Sequence, residues 1–168
     1  HSNPLGISSE FATVSVTGDA GDEHVFIGKP SGEVVVGERN SDGGFDWMLS
    51  DTGSGYTVDV VDFSLSPQDG FAATSDGGVY RTRDGGESWT HLGVEAAQTG
   101  FTGMLVEPGD PVQVYVGGGS GRIWRLDCDC NRWTPHEADT KRVYALEANG
   151  VGGRYLGAGA SGRSYEYG

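Results

Sequence analysis

The sequence has few cysteines and no long hydrophobic run, and its charge is strongly of one sign. Two cysteines, Cys128 and Cys130, are too few for the disulfide framework of a small secreted domain. No apolar run approaches transmembrane length, so we expect no membrane insertion. The 24 acidic and 11 basic residues give a net charge of −13. A surface this negative repels phosphates, so nucleic acid is not an expected partner.

Lysine is also scarce, because only Lys29 and Lys141 accompany the arginines. A lysine-poor acidic surface is typical of proteins from salt-accumulating halophiles, in which ions screen the repulsion between carboxylates. An ordinary acidic surface is the alternative. The halophile interpretation predicts a cytoplasmic protein of such an organism, although a cleaved secretion signal would leave no trace. Residues 1–10 resemble a tag or linker and are set aside.

Glycine is abundant, with 30 residues, and part of it belongs to a repeated turn. The octet Thr82–Trp89 has a hydroxyl, an Asp two residues on, two glycines and a Trp, which fit a tight hairpin turn. Asn40–Trp47 has the same form one repeat earlier, and Trp133 ends a third, degenerate copy. The tryptophans are 42 and 44 residues apart, as in four-stranded propeller blades. The structural residues predicted for these turns are Asn40, Asp42, Gly44, Trp47, Thr82, Asp84, Gly86, Trp89 and Trp133.

No segment shows sustained helical periodicity, whereas alternating runs precede each turn. The sequence therefore predicts an all-β protein, a β-propeller-like array of four blades of about 42 residues. A single propeller domain over 11–168 follows the leader. Its blades lie at approximately 11–50, 56–92, 101–136 and 142–168.

The fourth blade is predicted to lack its own outer strand, since Gly168 falls where its Trp turn should begin. An open strand edge invites pairing and is normally covered. Three solutions stay open: the N-terminal segment completes the blade, a second copy covers it as a homodimer, or the chain is a piece of a larger ring.

The Thr82–Trp89 octet resembles the Asp-box, or BNR, repeat of β-propellers such as sialidases, sortilin-type receptors, xyloglucanases and photosystem II assembly factors. The resemblance covers roughly residues 11–168, with one intact box, one near-intact box and one degenerate box. It implies a propeller in which the box is a structural turn between the third and fourth strands of a blade, usually away from any active site. A resemblance of this kind gives the fold and not the function.

The two cysteines replace Asp84 and Gly86 at the equivalent positions of the third turn. Cys128 and Cys130 could be joined by a strained disulfide that staples the hairpin, or be ordinary reduced thiols. A metal site with His136 is the third alternative, but it lacks an obvious fourth ligand.

Arg81 and Arg125 occupy one repeated blade position, and Tyr80, Trp124 and Tyr165 occupy another. Arginines could clamp a carboxylate substrate in a sialidase, or they pair with neighbouring carboxylates. The aromatic residues either pack between blades or form an exposed ladder that binds a polymer or a partner chain.

No complete set of acid, base and arginine identifies an enzyme. We therefore expect a non-enzymatic scaffold that binds a protein or a glycan, without catalytic residues, cofactor or metal. The competing hypothesis is a fragment or relative of a BNR-type glycoside hydrolase, sialidase-like or xyloglucanase-like, or a lectin.

Overall fold

The protein is seen in a computed structural model. The structure describes residues 10–93, 100–109, 111–127, 132–137, 142–148, 155–159 and 164–167. Those residues form fifteen β-strands and no helix. The predicted all-β class and its array of antiparallel sheets are confirmed.

The first sheet consists of four strands in the order β1-β2-β3-β4, each antiparallel to its neighbour. The strands are β1 (Thr13–Thr17), β2 (His24–Gly28), β3 (Glu33–Arg39) and β4 (Phe45–Asp51). Val25, Phe26 and Ile27 form the middle of β2, and three valines follow Glu33 in β3, as expected of strands that pack on a core. Gly32 turns the chain between these two strands with a φ of 88°, in the left-handed region that glycine tolerates.

The second sheet has the same order and the same antiparallel pairing. Its strands are β5 (Val58–Asp62), β6 (Gly70–Thr74), β7 (Val79–Thr82) and β8 (Thr90–His91). The two central strands are buried along their whole length. The outermost strand has only two residues, both exposed.

The third and fourth sheets continue the pattern. The third sheet consists of β9 (Phe101–Glu107), β10 (Gln113–Gly118), β11 (Arg122–Asp127) and β12 (Arg132–Glu137). The fourth sheet, as far as it is described, consists of β13 (Val143–Ala148), β14 (Tyr155–Gly159) and β15 (Ser164–Tyr167). The chain divides into two compact units, the first holding the first two sheets and the second holding the other two. Membership of all four sheets in one propeller domain stays a prediction.

The core of the first unit lies between its two sheets. Phe26 from β2 stacks on Phe63, which follows β5, with ring centroids 3.4 Å apart and planes within 3°. The edge of Trp89 meets the same Phe63 ring at 6.1 Å. This aromatic cluster fixes the face of the first sheet that packs on the second. The other members of the cluster are Val34, Val36, Val58, Val61, Ala72 and Tyr80.

The opposite face of the first sheet is also apolar. Strand register places two rows of side chains across it, because directly paired residues of an antiparallel sheet share one face. One row runs Val14, Ile27, Val35 and Leu49, and the other runs Val16, Val25, Gly37 and Trp47. Val14 and Val16 are each 62% exposed and Leu49 is 41% exposed. We call these two rows the apolar outer face.

The second unit has its own smaller core. Tyr115, Ile123, Val143 and Leu146 form its buried cluster. Gly117 allows the third and fourth sheets to approach, since a Cβ at this position would lie 2.8 Å from a methyl of Val143.

Candidate functional site

The second Trp turn, Thr82–Trp89, is closed by the Asp84 carboxylate. Thr82 Oγ1 donates a hydrogen bond to Asp84 Oδ1 over 2.7 Å and accepts one from the Gly86 N–H over 2.8 Å. The Ser88 N–H donates to the same carboxylate oxygen over 2.9 Å, and the Ser88 hydroxyl donates to Oδ2. Gly85 and Gly86 both have positive φ, which explains the paired glycines.

These hydrogen bonds stabilise the ionised carboxylate. The Ser88 hydroxyl, followed by the Thr82 hydroxyl and the Ser88 backbone N–H, lowers the pKa of Asp84 to about 2. Asp84 is therefore charged at neutral pH, and its charge is held in place by the turn.

The first Trp turn, Asn40–Trp47, reaches a similar shape with different partners. Asn40 Oδ1 accepts the Gly44 N–H over 2.8 Å, as Thr82 Oγ1 accepts that of Gly86. Asn40 Nδ2 donates to Asp46 Oδ1 over 3.1 Å. Asp42, the counterpart of Asp84, is exposed and makes no side-chain hydrogen bond to the residues described. In this turn the carboxylate that accepts a hydrogen bond is therefore that of Asp46 and not that of Asp42.

Two of the three turn tryptophans donate hydrogen bonds to an earlier part of the chain. Trp89 Nε1 donates to Ser50 Oγ over 2.9 Å, and that hydroxyl in turn donates to the Gly86 carbonyl. Trp133 Nε1 donates to the Gly93 carbonyl over 2.8 Å. Trp47 instead lies over Gly37, where a Cβ would come within 2.4 Å of its ring. Each of the three tryptophans thus contacts another part of the chain.

A groove of about 230 Å³ lies where the two turns of the first unit approach each other. Its non-acidic lining residues are Val36, Trp47, Met48, Gln68 and Gly85. The acidic lining residues are Glu38, Asp46, Asp84 and Glu87. We call this feature the acidic groove.

The other candidate aromatic residues lie on strands of the second, third and fourth sheets. Tyr80 is 8% exposed and belongs to the buried core cluster of the first unit. Trp124 is half-buried in β11, and Tyr165 lies in β15. Cys128 and Cys130 lie outside the described residues, so their disulfide stays a prediction.

Arg81 is engaged within its own sheet. Its Nε and Nη2 donate to the two carboxylate oxygens of Asp69 over 2.8 and 2.7 Å, and its guanidinium lies 5.1 Å from the centroid of the Phe71 ring. This bidentate pair is the carboxylate pairing expected as the alternative to a substrate clamp.

Two negative findings concern the described residues alone. They contain no apolar helix of the length needed to cross a membrane. Within the same ranges, no three His, Cys, Asp or Glu side chains are grouped so that they could hold a metal ion.

Neither the acidic groove nor the apolar outer face is predicted by the sequence. The alternation of Val14 and Val16 with small polar residues signals a strand with one apolar face. It does not say that this face stays exposed. The acidic groove has no sequence signal of its own, because its lining comes from two sheets.

We expect Asp84→Ala to lower the free energy of unfolding by on the order of 1–3 kcal/mol, because three donors lose their acceptor. The folded pKa of Asp84 is below its ordinary value of 3.8, so its stabilisation is complete above that value. It is lost as the pH falls from about 4 to about 2. Denaturant unfolding at pH 7 and through this window measures both effects.

Asp42→Ala is the matched control, since it removes the equivalent carboxylate where no hydrogen bond depends on it. We expect a change within about 0.5 kcal/mol. Equal losses in the two variants, or a difference between wild type and Asp84→Ala that persists at pH 2, would contradict the role given to Asp84.

The fold and these turns define the class: an all-β protein, a β-propeller-like array of antiparallel sheets in which Trp-containing hairpin turns connect the third and fourth strands of the first two sheets. No family model matches the chain. The photosystem II assembly lipoprotein Ycf48 of Prochlorococcus marinus (strain MIT 9312) is 33% identical to it over 109 residues. The alignment covers 62% of this chain and 30% of that protein, so the chain spans less than a third of its relative's length. The similarity agrees with the resemblance to photosystem II assembly factors.

Proposed function

We propose that the chain is a non-enzymatic Asp-box propeller segment that binds a protein partner as an assembly scaffold. The apolar outer face carries this proposal. Its aliphatic side chains span all four strands of the first sheet, and three of them are substantially exposed. The exposed side chains lie on the two edge strands, on either side of the buried Val35, and exposed apolar surface marks protein interaction sites. The similarity to an assembly lipoprotein supports the same role.

A protein partner suits this face better than a glycan does. Sugar sites combine aromatic platforms with hydrogen-bonding groups, whereas Val14, Val16 and Leu49 offer neither. The candidate aromatic Tyr80 is buried, and Arg81 is paired with Asp69. A glycan, and with it the hydrolase or lectin alternative, therefore has less support.

The partner could be a second copy of this chain, which would make the face a homodimer interface. Static light scattering over a hundredfold concentration range tests whether the partner is a second copy. A mass that doubles with concentration identifies the second copy, and a constant monomer mass points to a different protein.

The proposal is tested by using the chain as bait in extracts of its own organism and then reconstituting the enriched complex from purified proteins. We expect Val16→Lys together with Leu49→Lys to weaken the reconstituted complex at least about tenfold, because both charges would be buried. Tyr56→Lys is the control, since Tyr56 is an exposed residue in a loop after β4. Equal weakening by the control would remove the face from the interface.

The enzyme alternative needs a separate assay. We expect no turnover of a sialoside or of β-glucan. Turnover abolished by substitution of one carboxylate would replace the scaffold proposal with the hydrolase.

We propose further that the protein works in a salt-accumulating cytoplasm, which predicts stability that rises with salt. The net charge of −13 produces mutual repulsion that dissolved ions screen. The melting temperature should therefore be clearly higher in molar potassium chloride than in dilute buffer. A melting temperature that stays the same or rises in dilute buffer would contradict the halophile interpretation.

A further inference from the structure

Four aspartates are followed directly by glycine: Asp42, Asp69, Asp76 and Asp84. An Asp–Gly pair can react with itself, because the glycine nitrogen can attack the side-chain carboxyl carbon and glycine has no side chain to obstruct the approach. The reaction needs a carboxyl group that can turn towards this nitrogen and a backbone that can bend to meet it. The fold therefore decides which of the four pairs reacts.

Three of the pairs are held by the fold. Both carboxylate oxygens of Asp69 accept hydrogen bonds from the Arg81 guanidinium. Both carboxylate oxygens of Asp84 accept hydrogen bonds from donors of its own turn, and Asp76 is also engaged in an interaction. The glycine that follows is buried in each case, as Gly70, Gly77 and Gly85. Reaction at these pairs therefore requires local opening of the fold.

Asp42 differs from the other three. It is exposed, and its side chain makes no hydrogen bond or ion pair among the described residues. Gly43 is also exposed, and a Cβ built on it would meet no atom within 4 Å. The Gly43 N–H donates to the Asn40 carbonyl over 3.0 Å, a bond at the surface that opens without disturbing the core. The Asp42 carboxyl group can thus reach the Gly43 nitrogen while the sheet stays folded.

We propose that Asp42 is a modification site, at which aspartate converts spontaneously to isoaspartate. The Gly43 nitrogen forms a bond to Asp42 Cγ. The nitrogen loses its proton and Cγ loses its hydroxyl group, so one water leaves and a cyclic succinimide results. Water then opens the ring: cleavage of the new bond restores aspartate, whereas cleavage of the original peptide bond yields isoaspartate. The net change is an isomerisation without oxidation or reduction, and water is the only co-reactant.

The modification alters the first Trp turn. In isoaspartate the main chain runs through Cβ and Cγ, so the hairpin between β3 and β4 gains one backbone carbon. Asp42 lies inside the loop closed by the hydrogen bonds that Asn40 makes with Gly43 and Gly44. We expect the longer backbone to weaken these bonds, because their geometry depends on the length of the turn.

The test is ageing of the purified whole chain at neutral pH and physiological temperature, followed by peptide mapping with electron-transfer fragmentation. This method distinguishes isoaspartate from aspartate at each position. In the folded chain we expect isoaspartate to accumulate at Asp42 at least about tenfold faster than at Asp69 or Asp84, because those carboxylates react only after their hydrogen bonds open. Equal rates at the three positions would overturn the proposal.

The same chain aged in guanidinium chloride separates the effect of the fold from that of the local sequence. Unfolding frees all four aspartates, so we expect their rates to become similar. If Asp42 stays ahead by the same factor in the unfolded chain, its selectivity comes from its sequence neighbours and the structural argument is wrong.

Asp42→Glu is the matched variant, since it keeps the charge while glutamate closes the corresponding larger ring much more slowly. The readout is methyl transfer from S-adenosylmethionine by a protein isoaspartate methyltransferase, which labels isoaspartate. We expect the aged variant to take up clearly less label than the aged wild type. Unchanged labelling would place the isoaspartate at another position and overturn the assignment to Asp42.

Discussion

Phe63→Ala should destabilise the first unit by about 3–5 kcal/mol, the largest effect expected from a single substitution in it. Phe63 is fully buried, stacks on Phe26 and meets the edge of Trp89. It also abuts Gly70, where a Cβ would come within 2.3 Å of its ring. Removing the ring leaves a cavity between the two sheets, because the neighbouring side chains are held by their own packing and do not fill it. Denaturant unfolding followed by tryptophan fluorescence measures the loss.

Phe11→Ala is the control for Phe63→Ala, because Phe11 is exposed. It should change the free energy of unfolding by no more than about 0.5 kcal/mol. Phe63→Leu should fall between the two, since leucine refills part of the cavity. A loss below about 1 kcal/mol for Phe63→Ala would show that the two sheets do not depend on this ring.

The Trp turns could be predicted from the sequence, whereas the role of Phe63 could not. The period between tryptophans located the turns, and the hydroxyl at Thr82 with the carboxylate at Asp84 indicated how one turn closes. Both are local features, because all the donors and acceptors lie within one hairpin. Phe63 was not identified, since its importance depends on the approach of a second sheet.

The first Trp turn shows a limit even for local features. Its sequence aligns with the second turn residue by residue, which predicts that Asp42 acts as Asp84 does. An amide at position 40 has a donor that can reach across the hairpin, and Asp46 accepts it. Asp42 then has no bond to make among the described residues. With Asn in place of the hydroxyl at position 40, the carboxylate acceptor of this turn is Asp46, four residues after Asp42.

The exposed surfaces could not be predicted for a different reason. The alternation in β1 and β2 predicts two faces for each strand but not which of them another sheet covers. Register and packing decide this: Phe26 faces the second sheet, while Val14 and Val16 face away from it. The proposed binding surface, the apolar outer face, depends on that choice.

The surroundings of Arg81 and Arg125 bear on whether either arginine could clamp a carboxylate substrate. In the third sheet, Gln113 stands where Asp69 stands in the second, and Tyr115 stands where Phe71 stands. Gln113 there accepts a hydrogen bond from the Tyr115 hydroxyl, and Arg125 Nε is buried without a hydrogen-bond partner in the described residues. The ion pair is thus a property of the second sheet and not of every repeat.

Asp69→Ala should destabilise the first unit by about 2–4 kcal/mol, because it leaves the Arg81 guanidinium buried without its bidentate partner. The double variant Asp69→Ala with Arg81→Met should be less destabilised than the sum of the two single variants, since the double variant buries no unpaired charge. Unfolding in denaturant at neutral pH completes this cycle. Strict additivity would show that the pair does not hold the sheet. Arg81 would then be a candidate carboxylate clamp, and this result, like turnover in the hydrolase assay, would return the sialidase-like alternative to consideration.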